Sequence, residues 1–325
     1  MKSKNRCLKA FIIASILIMS LGFLKTYLLQ KFTQNSLDAE VFWILKTFAK
    51  PKFDMILMGD SRVYRGLSPE AMNTILPGYQ ILNFGYAAGG LNTTIYKEAE
   101  FKFDPKSNKK TIVLGVTPMS LLPGSEKNSD FEDKKSNSRE YVFMIKNFSS
   151  FITFFNPFNF EELLPPQLKK FMQTLLKKPY SGNYYQIYHK NGWVASWRVP
   201  EDPQQYLVSF QQVFSHNKVS DKLIQDLLQQ TIKWRQQGIQ VFGFRPPSSK
   251  AMEELENELS GFDEATFSQQ FKTAGGIWFS FPTEKYHSYD ASHLHKDSAI
   301  QLSLDLAQRI KEHIDIYAAA NEPQG

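Results

Sequence analysis

Cysteine is nearly absent from this chain: one in 325 residues, Cys7, ahead of a long apolar run. That excludes a disulfide framework, a thiolate metal site and a cysteine nucleophile from everything after residue 31. Cys7 also stands on the wrong side of the apolar run for a lipid-modified cysteine behind a signal segment. Histidine is scarce too, at six, and three of them (His287, His293 and His295) fall within nine residues near the carboxyl end. Their spacing fits neither the His-x-x-x-His helix pattern nor a pairing with a second cluster, so no metal and no cofactor is expected. The sequence has no internal repeat, coiled-coil heptad or low-complexity tract. Acidic residues are missing from residues 1–31, which hold six cations and leave 32 cations against 32 anions over residues 32–325. The net charge of +6 therefore belongs to a tail and not to a folded face, so nucleic acid is not an expected partner.

The tail has a physical explanation. Ala10 to Leu24 is apolar except for Ser15, Ser20 and Gly22, and the run resumes at Thr26–Leu29. About 20 such residues span a bilayer core as a helix. The four cations before it predict a cytoplasmic N-terminus, with everything from about residue 32 on the other side. No small-x-small cleavage site follows, so an uncleaved anchor is expected in place of a signal peptide. This gives a single-pass membrane protein with an anchor over 1–31, a spacer over 32–50 and an extracytoplasmic domain over 51–325.

That domain reads as α/β. Apolar runs at Phe53–Met58, Tyr79–Phe84, Thr111–Val116, Ile239–Phe244 and Ile277–Phe279 predict strands, and most stop at glycine- or proline-marked loops. Between them lie helical patterns: Ser68-Pro69-Glu70 opens one, Leu91–Phe101 is a second, and 221–237, 251–274 and 299–314 follow. Alternation of this kind predicts a parallel sheet covered on both faces, with ligands bound beyond the carboxyl ends of the strands. An insertion over 124–215 interrupts the pattern. It opens with a polar stretch, 124–138, expected to be a mobile loop, and then carries 18 aromatics in positions 141–214. Lys190-Asn191-Gly192-Trp193 predicts a hairpin turn. The aromatics are expected first to pack a small core and second to offer faces to sugar rings.

Two loops carry chemistry. Ser61, in Gly59-Asp60-Ser61-Arg62, directly follows the first strand, and a serine there can attack an acyl carbon only if a base takes its proton. Asp290 precedes His293 by three residues in the loop before the last helix, a spacing that lets a carboxylate fix the imidazole while its other nitrogen faces the serine. Arg62, Arg65 and Arg245 fall near strand ends. All three are candidates to pair with an anionic substrate, with Arg62 and Arg245 taken as the substrate-binding residues, although a solvated or Asp60-paired cation is the plainer expectation for such an arginine.

The two motifs, Gly59-Asp60-Ser61 and Asp290-Ala291-Ser292-His293, resemble the first and last motifs of the SGNH (GDSL-like) hydrolase superfamily, and their span covers nearly all of residues 52–315. The resemblance implies a flavodoxin-like three-layer α/β/α fold, with Ser61 as nucleophile, His293 as base and Asp290 orienting it. It also implies an oxyanion hole built from the Ser61 amide and a glycine of the second motif. Gly89 is the choice here, with Gly85 and Gly90 as alternatives. The third motif, normally Gly-x-Asn-Asp, is replaced by Gly115-Val116-Thr117-Pro118, which puts Thr117 in the donor position. With the anchor, the chain is similar to bacterial envelope proteins that handle O-acyl groups on polysaccharides or teichoic acids. The resemblance thus implies a serine esterase or O-acyltransferase acting on an acyl ester or polysaccharide, with a membrane-bound acyl donor as partner. The alternative is a non-catalytic glycan-binding or scaffold protein on the same fold.

Overall fold

The computed structural model describes residues 9, 11–23, 36–87, 89–155 and 183–320. At its centre is a five-stranded parallel sheet of β1 (Met55–Gly59), β2 (Ile81–Asn83), β3 (Thr111–Gly115), β6 (Gln240–Phe244) and β7 (Ile277–Phe279), in the order β2-β1-β3-β6-β7. The two strands missing from this order, β4 (Asn183–Tyr188) and β5 (Val194–Val199), form a separate antiparallel hairpin. Without them the order is 2-1-3-4-5, a doubly wound sheet whose direction reverses beside β1.

Strand side chains alternate between two cores. Ile56, Met58, Ile112 and Leu114 face one core, closed by α4 (Thr93–Lys102), α8 (Asp221–Gln236) and α10 (Glu264–Thr273). Met55, Leu57 and Val113 face the other, closed by α2 (Ser61–Gly66), α3 (Pro69–Ile75) and α11 (Lys296–Ala320). β1 and β3 are buried along their whole length, as strands covered on both faces must be. The result is a three-layer α/β/α arrangement. Ser68 caps α3, with Pro69 at its first position, as the sequence predicts.

Two expectations are corrected. The helix expected over 251–274 is two helices, α9 (Lys250–Leu259) and α10, broken where Gly261 takes a φ of +74° and Asp263 caps the second. The stretch expected to be a mobile loop over 124–138 contains α5 (Ser129–Lys135). Asn128 caps it, and Phe131 is buried edge-on against Phe84 and Tyr86. One apolar side chain thus anchors an otherwise polar segment. The spacer contains α1 (Ala39–Thr47), with Phe42 and Ile44 buried, so it belongs to the folded body.

No described helix is long and apolar enough to cross a membrane. The span expected over Ala10–Leu29 reaches beyond the described residues; within them, 11–23 are helical with Phe11, Ile13, Ile16 and Phe23 exposed. Cys7 and positions 156–182 of the insertion also lie outside the described residues.

The hairpin docks on the sheet edge through its turn. Asn83 donates its N–H to the Asn191 carbonyl at 2.8 Å, and Lys46 donates to the Gly192 carbonyl at 3.0 Å. Gly192 has a φ of +88°, and a Cβ there would lie 2.0 Å from the Asn83 carbonyl oxygen. Both conditions demand glycine. Gly192→Ala should therefore lower stability by about 2 kcal/mol or more, read as a fall in melting temperature together with faster proteolysis within the hairpin. An unchanged melt would show that the turn does not dock this way.

Candidate active site

Ser61 owes its position to β1. The strand ends at Gly59, whose φ of +153° and close contacts to Val63 and the Gly115 carbonyl leave no room for a side chain. Asp60 then caps α2, accepting the Arg62 N–H at 2.9 Å, and Ser61 becomes the first helical residue at the carboxyl edge of the sheet. Its side chain is half-buried, and its Oγ lies 2.8 Å from His293 Nε2.

Asp290 organises the second loop almost alone. One carboxylate oxygen accepts the N–H groups of Ser292 at 3.0 Å and His293 at 2.6 Å, and the other accepts from His293 Nδ1 at 2.8 Å. This requires a sharp turn at Ala291, the one non-glycine residue with positive φ (+73°) among those described, held by a bond from the Ser249 N–H to its carbonyl. Backbone in this region is strained for a residue with a Cβ, and such strain is concentrated at functional loops. The Ser–His–Asp series read from sequence is therefore assembled across 232 positions by two short loops at one sheet edge.

The electrostatics suit a base. Burial and the nearby Arg65 charge bring His293 down to about 4, against the pull of Asp290, so the ring is neutral at neutral pH. Burial alone would raise the Asp290 carboxyl, but the bonds from His293 and Ser292 outweigh it and hold the group below its ordinary value. Because the neutral ring is the working form, kcat/KM for ester cleavage should hold well below neutral pH and be half lost near 4 as the ring protonates. A midpoint at the ordinary histidine value, near 6.5, would contradict a desolvated base.

The remaining site residues expected from sequence are arranged differently. Thr117 Oγ1 donates to Asp60 Oδ2 at 2.5 Å and accepts the Ser120 N–H, so its hydroxyl is committed to a buried carboxylate. Burial raises the Asp60 carboxyl, which explains why a donor is held against it. The Gly89 N–H is committed too, to the Tyr86 carbonyl at 3.1 Å, and the Gly85 N–H goes to Asn83 Oδ1. Two backbone donors near these loops have no partner among the described residues: the Ser61 amide, at a helix position without an intrahelical acceptor, and that of Gly90.

Arg62 and Arg245 are not free to meet a substrate. Both are buried and both bind Glu256, a fully buried glutamate on α9: Arg62 at 2.6 and 3.2 Å and Arg245 at 2.9 Å. Arg62 Nε also donates to Ser292 Oγ at 3.1 Å, which ties this ion cluster to the histidine loop. Sequence reasoning missed Glu256, although its position one turn after Met252 puts it on the buried stripe of α9.

It also missed the tyrosines. The Tyr206 ring, at the start of α7 (Leu207–His216) in the insertion, meets the His293 ring edge-on at 5.4 Å, and Tyr289 stacks on it at 6.3 Å. The insertion therefore supplies one wall of the site. No family model, curated protein or solved structure matches this chain. Among the described residues no cluster of metal-binding side chains occurs, and His287 pairs with Glu201 at the surface, away from the triad.

Proposed function

We propose that the chain is a serine acyl-ester hydrolase or O-acyltransferase of SGNH type. It would be held at the membrane by its N-terminal apolar segment, with the domain outside the cytoplasm acting on cell-envelope glycan or a small acyl ester. The observation that carries this reading is the relay from Ser61 Oγ through His293 to Asp290, with both links at 2.8 Å. His293 takes the Ser61 proton as Oγ attacks the acyl carbon, and the tetrahedral oxyanion falls to backbone donors, the Ser61 amide first. Collapse returns the proton to the leaving alkoxide and leaves the acyl group on Ser61. Water, or a sugar hydroxyl deprotonated by the same ring, then takes the acyl group. A membrane-bound acyl donor is the partner this reading implies for transfer. The anchor and outward orientation rest on the charge pattern of residues 1–31.

A second reading, a non-catalytic envelope glycan-binding or scaffold protein, is favoured by one observation. Thr117 and Gly89 already spend their donors internally, which thins the oxyanion hole, and each lost donor is worth about 10²–10³ in rate. Acyl release from p-nitrophenyl acetate and from O-acetylated oligosaccharide separates the two. The enzyme reading expects release from at least one ester, redirected to acceptor if transfer operates. No release from either favours the scaffold.

A further inference from the structure

Three arginines lie near the strand ends, and carboxylates pair with two of them: Glu256 binds both Arg62 and Arg245, and Glu264 also lies 3.5 Å from Arg245. The third, Arg65, is four residues after Ser61 on α2 and so shares its helix face. No described carboxylate lies within ion-pair distance of it; its surroundings are phenols. Nε donates to the Tyr64 hydroxyl at 3.0 Å and Nη1 to the Tyr289 hydroxyl at 3.2 Å, while the guanidinium sits 5.2 Å from the Tyr64 ring centre and 5.4 Å from that of Tyr184. Among the described residues Nη2 has no hydrogen-bond partner. The cage is itself braced: Tyr289 Oη also meets Ser196 Oγ at 3.1 Å and the Tyr184 hydroxyl at 3.3 Å, and the Trp193 indole donates to the Arg65 carbonyl at 2.9 Å. A permanently charged group is thus half-buried, oriented by neutral partners, and left with one unused edge beside the catalytic ring, whose proton affinity its charge lowers.

We infer that Arg65 is an anion subsite: its free Nη2 edge binds an anionic oxygen, carboxylate or phosphodiester, on the polymer that carries or accepts the acyl group. This rests on the active-site reading for its purpose but not for its test. Phenols hold the guanidinium without cancelling its charge, so an incoming oxyanion gains a charge-assisted bond in a partly desolvated place. A merely structural arginine would serve equally well with its charge matched by a carboxylate, as Arg62 and Arg245 show.

The test is titration calorimetry on the full chain carrying Ser61→Ala, with three probes: an oligouronide, a phosphodiester-linked polyol oligomer and a neutral oligosaccharide of equal length. At least one anionic probe should bind tenfold or more tightly than the neutral one and weaken with salt. Arg65→Gln should bring its affinity to the neutral level, and Arg65→Lys should keep part of the preference. Tyr289→Phe, which removes one brace and leaves the charge, should keep most of it. The two anionic arms distinguish carboxylate from phosphate. Equal binding of all three probes, or an anion preference that survives Arg65→Gln, overturns the inference. Failure of the hydrolase reading would look different: no acyl release by the unmodified chain, with the anion preference intact.

Discussion

Ser61→Ala should lower ester cleavage by about 10⁴-fold or more, with thermal unfolding shifted by no more than about 1 kcal/mol. The asymmetry follows from the local geometry. The Ser61 hydroxyl makes a single hydrogen bond, to His293 Nε2, and its half-buried position leaves little to repack when the oxygen is removed. Chemically nothing replaces it: the chain has no cysteine outside the N-terminal tail, and Thr117, the other hydroxyl considered, is bound to Asp60. His293→Ala should cost a comparable factor, and the double variant little more than either single one, because the two residues act as a unit. Rates for wild type, both single variants and the double variant, measured on one ester, make the check. Additive losses would mean that the pair does not work through its hydrogen bond.

The second large effect is on stability. Glu256→Gln should destabilise the fold by about 3–5 kcal/mol, a fall in melting temperature of roughly 10 °C. The glutamate is fully buried between two buried guanidiniums, and without its charge Arg62 keeps Ser292 and the more distant carboxylates of Asp60 and Asp290, while Arg245 keeps Asn257 and Glu264. Uncompensated charge in such a place is what makes breaking a buried pair so much worse than lacking one. Because Arg62 also holds Ser292, next to the base, the same variant should lose activity before it unfolds. Replacing Arg62, Glu256 and Arg245 together by apolar residues should be better tolerated than Glu256→Gln alone. If the single variant melts like wild type, the three side chains do not form this cluster.

These two sites also mark where sequence reasoning succeeds and where it stops. Ser61, Asp290 and His293 were legible because each lies in a short loop at a strand or helix boundary, where local pattern fixes position. The parallel, doubly covered sheet needed only the alternation of apolar runs and helical stretches. Glu256 was not legible as a partner of two arginines because ion pairs between distant elements leave no periodic trace. Its one signal was a charge standing on the buried stripe of α9. The same holds for Tyr206, which reaches the site only through the placement of the insertion. Thr117 was misjudged for a related reason. The third-motif resemblance places its hydroxyl at the oxyanion, whereas the buried Asp60 carboxylate, even with Arg62 nearby, draws that hydroxyl as its donor. The break at Gly261 was readable, since glycine followed by a capping aspartate ends one helix and starts another.

The most direct measurement is mass spectrometry of the full-length chain after exposure to a fluorophosphonate. The account predicts one covalent adduct, on Ser61, formed by the wild type and lost in His293→Ala. An adduct on another residue, or none on a well-folded protein, would contradict it.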